Sequence, residues 1–147
     1  MKNLLTFLLF GSLFFGISNS VFAQENYGGA LNAFVKFGDN STLGANYEFQ
    51  VADNITVSPE AIISFSSDAW IALGGRADYY FDSLFNLQEP WDVWAGVDAG
   101  FIISGNDSFS INVHIGGEYK FNETWGIIAE IGGGKSTSGG IGVGIHF

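Results

Sequence analysis

The chain has no cysteine, which excludes disulfide stapling, cysteine-bound zinc, thiol catalysis and acylation through a cysteine. Basic residues are scarce, with five Lys and Arg against fifteen Asp and Glu and a formal charge of −10. The phosphate backbone of a nucleic acid would be repelled by that balance, so nucleic acid is excluded as a partner. Charged residues of both signs reach only 14%, well below the roughly 25% of an ordinary soluble domain. Past residue 23 there is also no apolar run approaching the roughly 20 residues of a helical membrane span. If this chain crosses a membrane, it must do so as a barrel, because only helices and closed barrels satisfy their backbone groups in lipid.

What the chain has in quantity is apolar surface and glycine: 47% hydrophobic residues, 16% aromatic and 21 Gly in 147 residues. That length supports one domain, and the apolar content is too high for a disordered chain. Residues 1–23 read as a cleaved secretory signal peptide, with Lys2 before an apolar run from Leu4 to Ile17 and small residues Val21 and Ala23 before the cut. The expected mature domain is 24–147, with a charge of −11 and only Lys36, Arg76, Lys120 and Lys135 as fixed cations.

The mature chain alternates polar and apolar residues with period two, the strand signature. Eight segments are expected, near 28–37, 41–50, 54–65, 69–81, 91–103, 108–121, 124–134 and 138–147. Turn-forming clusters separate them: Gly38-Asp39-Asn40, Ala52-Asp53-Asn54, Ser66-Ser67-Asp68, Gly105-Asn106-Asp107, Asn122-Glu123 and Lys135–Ser138. The longer connection from Asp82 to Pro90 has room for a short turn of helix. Pro59 falls inside the third segment, which implies a bulge, a water, or a strand that starts beyond it. In the sixth segment Phe109, Ile111, Val113 and Ile115 share one face, opposite Ser110, Asn112, His114 and Gly116.

Soluble sandwiches alternate too, so the placement of charges and rings has to decide. Glu48, Glu60, Arg76, Asp78, Asp98, Glu118 and Glu130 fall within strands, on the polar face, rather than in turns. On the apolar face, Tyr47, Phe49, Tyr79, Phe81, Tyr119, Phe121 and Phe147 gather at one end, and Phe37, Phe65, Phe101 and Phe109 at the other. Two aromatic girdles around an aliphatic band are the pattern of a lipid-facing barrel wall. A soluble ligand-binding barrel, the remote alternative, reverses it with an apolar lumen. The expected fold is therefore all-β, an eight-stranded antiparallel up-and-down transmembrane β-barrel with both termini at one end.

The last strand, Gly-Ile-Gly-Val-Gly-Ile-His-Phe ending at Phe147, resembles the terminal signature of bacterial outer-membrane barrels. The stretches Tyr79-Tyr80-Phe81-Asp82, Trp91-Asp92-Val93-Trp94-Ala95-Gly96 and Gly116-Gly117-Glu118-Tyr119-Lys120-Phe121 are similar to small outer-membrane β-barrel proteins of the OmpX and OmpA N-domain type. That resemblance covers essentially the whole mature chain. It implies export and insertion from the periplasm into the outer membrane, with membrane lipid and the barrel-assembly machinery as partners and Phe147 as the assembly signal. The loops away from the termini are short, a departure from the family that argues against loop-borne adhesion.

Arg76 is the most informative inward residue. Glu60 on the preceding strand and Asp98 on the following one are expected near its depth, with Glu130 across the bore. A buried guanidinium needs carboxylate partners to offset its desolvation. A lumen network of Glu60, Arg76, Asp98, Glu130, Asp78 and Glu118 is therefore expected. Six inward acids, counting Glu48, outnumber the inward Lys36, Arg76 and Lys120, so at least one is expected to have a raised pKa or to meet water. His114 and His146 also face inward, but they lack triad or metal-ligand spacing, and no enzyme activity, metal or cofactor is implied. Gly133-Gly134-Lys135-Ser136 reads as a hairpin rather than a phosphate loop, because a strand follows it. The inward glycines, Gly116 and Gly142 among them, either make room for Phe34, Ile62, Tyr80 and Trp94 or leave a thin aqueous path. Two functional readings follow: a structural or surface-interaction barrel with an ion-paired interior, or a narrow pore for small solutes.

Overall fold

In the computed structural model, residues 26–38, 41–65, 69–103, 108–134 and 139–147 are described. The signal-peptide reading and the turn assignments at Asp39-Asn40, Ser66–Asp68, Gly105–Asp107 and Lys135–Ser138 lie outside these residues. The chain forms β1 (Ala30–Phe37), β2 (Thr42–Tyr47, continued as Phe49–Ala52), β3 (Ile55–Ser64), β4 (Ile71–Tyr80), α1 (Asp82–Phe85), β5 (Trp91–Ile102), β6 (Ser108–Lys120), β7 (Trp125–Gly134) and β8 (Gly139–His146). Every strand pairs antiparallel with its sequence neighbours, and β1 pairs with β8 from Ala30↔His146 to Phe37↔Gly139. First-to-last pairing makes this a closed eight-stranded up-and-down barrel without a free edge, which is what a spanning sheet requires in lipid.

The second expected segment is interrupted at Glu48, and Pro59 explains why. Phe65 N donates to Ser41 O and Tyr80 N donates to Asn54 O. Odd-numbered residues of β3 therefore turn their backbone groups toward β2, and even-numbered ones toward β4. Pro59 is odd, so its missing N–H is the donor that would have met Tyr47. The ladder duly lapses between Asn46↔Glu60 and Phe49↔Val57 while keeping register, and it shifts only later, between Gln50 and Ala52. On its other side Glu48 stays paired, donating to Ala30 O at 2.8 Å and accepting from Gly29 N at 2.9 Å. The proline thus sits within β3 and breaks one rung of one ladder.

Alternation maps cleanly onto the wall. β1 runs buried-exposed along all eight residues, and β3 and β7 alternate likewise. Among the described residues the buried set is mostly polar, nineteen residues from Asn32 to Glu130, while the buried apolar set is only eight. Leu31, Val35, Leu73, Val97, Ile111, Val113, Ile127 and Val143 are exposed on the outside. That is the inverse of a water-soluble domain.

Rings border this aliphatic band. At the end carrying the termini, Tyr47 packs on Phe49 (4.8 Å), Tyr79 on Phe81 (5.1 Å), and Trp91 and Phe121 on Tyr119 (4.8 and 5.8 Å). At the other end Phe101 lies opposite Phe109 with ring centroids 5.1 Å apart. The β4–β5 connection holds α1. Asp82 pins it by accepting from Val93 N at 2.9 Å, and Phe81 N donates to Val93 O. These two bonds stand in for the strand that ends at Tyr80.

Candidate functional site

Among the described residues, chemistry-bearing side chains converge in the bore, because every strand sends its polar face there. In its middle, Arg76 lies in register with Ser58 on β3 and Asp98 on β5. Its guanidinium does not pair with Asp98. Nε donates to Asp78 Oδ2 at 2.6 Å and Nη2 donates to Glu130 across the bore. Glu130 also accepts from Trp94 Nε1 at 3.1 Å, so β4, β5 and β7 are tied through one carboxylate.

Of the three carboxylates expected around Arg76, Glu130 pairs with it and the other two are engaged elsewhere. Asp98 accepts from Asn112 Nδ2 at 2.6 Å and lies 3.3 Å from His114 Nδ1. Glu60 accepts from Lys36 Nζ at 2.9 Å. His114 Nε2 lies 2.6 Å from Asp78 Oδ1, so the imidazole bridges two carboxylates. Arg76, Asp78, Glu130, His114 and Asp98 thus form one connected cluster, with Lys36–Glu60 beside it. Glu118 is brought to a different place, the rim at the termini, where His146 Nε2 meets it at 2.9 Å. At the same rim Lys120 Nζ binds Asp92 at 2.9 Å and reaches Glu89 at 3.5 Å.

Below the ion pairs the bore is filled with rings. Tyr27 stacks on Tyr80 at 4.0 Å, and Tyr80 leans on Trp94 at 5.5 Å. Tyr80 OH and Asn32 Nδ2 donate to Glu48 at 2.8 and 2.6 Å, so this acid is held by neutral donors. Phe34 is buried under the cations, its ring 5.5 Å from Arg76 Cζ and 5.6 Å from Lys36 Nζ, distances at which a cation and a ring face attract.

Facing glycines make this filling possible. A Cβ on Gly116 would stand 2.7 Å from Trp94 Cε2, and one on Gly142 would stand 2.8 Å from Phe34 Cδ1. Of the two uses open to these glycines, making room is the one seen at both positions. Gly116→Val is therefore expected to push Trp94 off Glu130 and cost about 1–3 kcal/mol. A lowered urea midpoint in vesicles checks this, and an unchanged midpoint would show that the ring has slack. Small cavities lie among the described residues, one of about 20 Å³ beside Glu60, Trp70, Asp98 and Asn112 and one of about 10 Å³ beside Lys36, His114 and Glu130. The larger has room for about one water.

Chemically the arrangement is a set of ion pairs that offset one another's charge. His114 Nε2 is taken by Asp78, and Nδ1 lies 3.3 Å from Asp98 without a hydrogen bond to it. Among the described residues no group of three or more His, Asp or Glu is placed to hold a metal ion. Gly133 and Gly134 end β7, and Lys135 and Ser136 lie outside the described residues.

Sequence reasoning missed Asp92, Asp82 and Tyr27. Asp92 shares strand parity with Trp94 and Asp98, so its inward position was available. Asp82 and Tyr27 lie outside the strands, where no period applies.

No protein-family model matches the chain, and no curated protein sequence does. Two solved structures share its fold. The N-terminal β-barrel domain of Pseudomonas aeruginosa OprF superposes with a TM-score of 0.61 at 19% identity, covering 80% of this chain and 96% of that one. A chain described as a de novo designed transmembrane β-barrel gives 0.59 at 16% identity, covering 83% and 98%.

Proposed function

We propose that this chain is a small outer-membrane barrel with a structural or surface-interaction role, its bore sealed against solute flow. The observation that carries this reading is the stopper itself. Phe34 and Trp94 are buried in the lumen directly against the Arg76–Asp78–Glu130 cluster, and Tyr80 is buried against Trp94. An eight-stranded bore is just wide enough for side chains to fill it, and here large rings and an ion-paired guanidinium share the cross-section. Export by way of residues 1–23, entry from the periplasm and recognition of Phe147 by the assembly machinery belong to the same proposal. Phe147 suits that role, its side chain being exposed and its backbone N–H donating to Gly29 O at 3.1 Å. The likeness to the OprF barrel domain supports the location through fold alone. A soluble ligand carrier is disfavoured by the apolar outer wall, which would face water.

Single-channel recording in planar bilayers tests the seal. The wild-type barrel is expected to be silent, and the Phe34→Ala/Trp94→Ala double variant to give discrete steps once the two rings are gone. Reproducible steps from the wild-type protein would replace the sealed reading with the narrow-pore one.

A further inference from the structure

The β4–β5 connection carries a feature that the barrel wall does not need. In α1 and the turn after it, Leu84 and Phe85 are 66% and 62% exposed and Leu87 is exposed beside them. Adjacent apolar side chains left open on a short loop mark a surface that something covers. The loop is held in place rather than left to fold back: Asp82 is tied to Val93, and Leu87 N donates to Asp82 O at 2.9 Å.

The geometry points to an occupant, the lipid headgroup layer at the end of the barrel that carries the termini, with α1 as an interfacial anchor. This inference rests on the membrane-spanning reading and extends it. It is carried by continuity with the lipid-facing wall. Tyr79, on the outer face of β4, packs on Phe81 at 5.1 Å, and Phe81 packs on Phe85 at 5.9 Å. One file of rings therefore leaves the aromatic girdle and runs onto the loop without a polar gap. Charge is arranged to match. Of the acids of the connection, Asp82 is buried against Val93, and Glu89, which is exposed, lies 3.5 Å from Lys120. Outward around the apolar residues are Ser83, Asn86 and Gln88, with the Glu89–Lys120 ion pair beyond them, a fringe of mutually offset charge suited to zwitterionic headgroups. Aromatic and aliphatic groups next to neutral polar ones are what the headgroup boundary favours.

The absence of native cysteine makes the test direct. Leu84→Cys, Val97→Cys on the outer wall and Glu123→Cys in the β6–β7 turn are labelled singly with a bimane fluorophore. Each is refolded into phosphatidylcholine vesicles carrying a nitroxide either near the headgroup or deep in the acyl chain. At position 84 the shallow quencher is expected to act severalfold more strongly than at position 123, and more strongly than the deep quencher does at 84. At position 97 the deep quencher is expected to dominate. If 84 is quenched no more than 123 while 97 is quenched deeply, the barrel spans but α1 faces water or a protein partner, and the anchor is overturned. If 97 is not quenched at all, the spanning reading itself fails.

Discussion

Arg76→Ala is expected to cost the barrel about 3–5 kcal/mol, the range for breaking a buried ion pair from one side. Asp78 and Glu130 are both almost wholly shielded from solvent and both bonded to the guanidinium. Truncation removes the cation and strands the two carboxylates in the bore. Each keeps one further partner, His114 for Asp78 and the Trp94 indole for Glu130, but neither replaces the guanidinium that joins the two carboxylates. The readout is the folded band on a gel run in SDS without boiling. The variant should lose that band at a markedly lower temperature than the wild type. Volume and charge are separated by a triple variant, Arg76→Met/Asp78→Asn/Glu130→Gln, which removes every stranded charge while keeping the bore filled. It is expected to recover much of the loss, since neutral replacement of a buried ionic cluster is often tolerated. Unchanged heat resistance in Arg76→Ala would mean that the barrel does not depend on this cluster.

How far the bore could be read in advance follows from what period-two alternation can and cannot encode. Alternation assigns a face, so Glu60, Arg76, Asp98, Glu118 and Glu130 were all identifiable as inward without coordinates. It does not assign partners. Arg76 and Asp98 are in register, yet the guanidinium goes to Asp78 and across to Glu130. Which carboxylate a long side chain reaches depends on its lean along the strand and on competing donors such as Asn112 and His114. Closure brings β4 and β7 face to face, and there Glu130 meets Arg76 across the bore as expected. The break at Glu48 is a similar case. Pro59 was visible as a missing donor, but which neighbouring strand would lose the bond depends on strand parity, and hence on where β3 begins. Tyr27 and α1 lie outside any strand period. Their roles, one ring stacked in the bore and one apolar loop outside it, emerge only with the fold.

The second large effect separates a lipid-facing wall from a water-facing one by its sign. Val113 is 58% exposed, sits across from Val97 on the neighbouring strand, and lies between Phe109 and Tyr119, the girdle rings of β6. Val113→Arg on a water-facing surface should change stability by no more than about 0.5 kcal/mol, because the new side chain meets no neighbour and its charge is solvated. Near the middle of a bilayer the same change should cost about 2–4 kcal/mol. Val113→Leu, which alters volume without charge, should stay close to the wild type. Urea unfolding in phosphatidylcholine vesicles measures the difference. A midpoint for Val113→Arg that matches Val113→Leu would place water, not acyl chains, against this face. The inside-out distribution of polar residues would then have to be explained by some cover other than lipid. A large penalty confined to Val113→Arg follows if the exterior is solvated by hydrocarbon, and the charges of the bore then depend on one another, since no water reaches them through the wall to replace a lost partner.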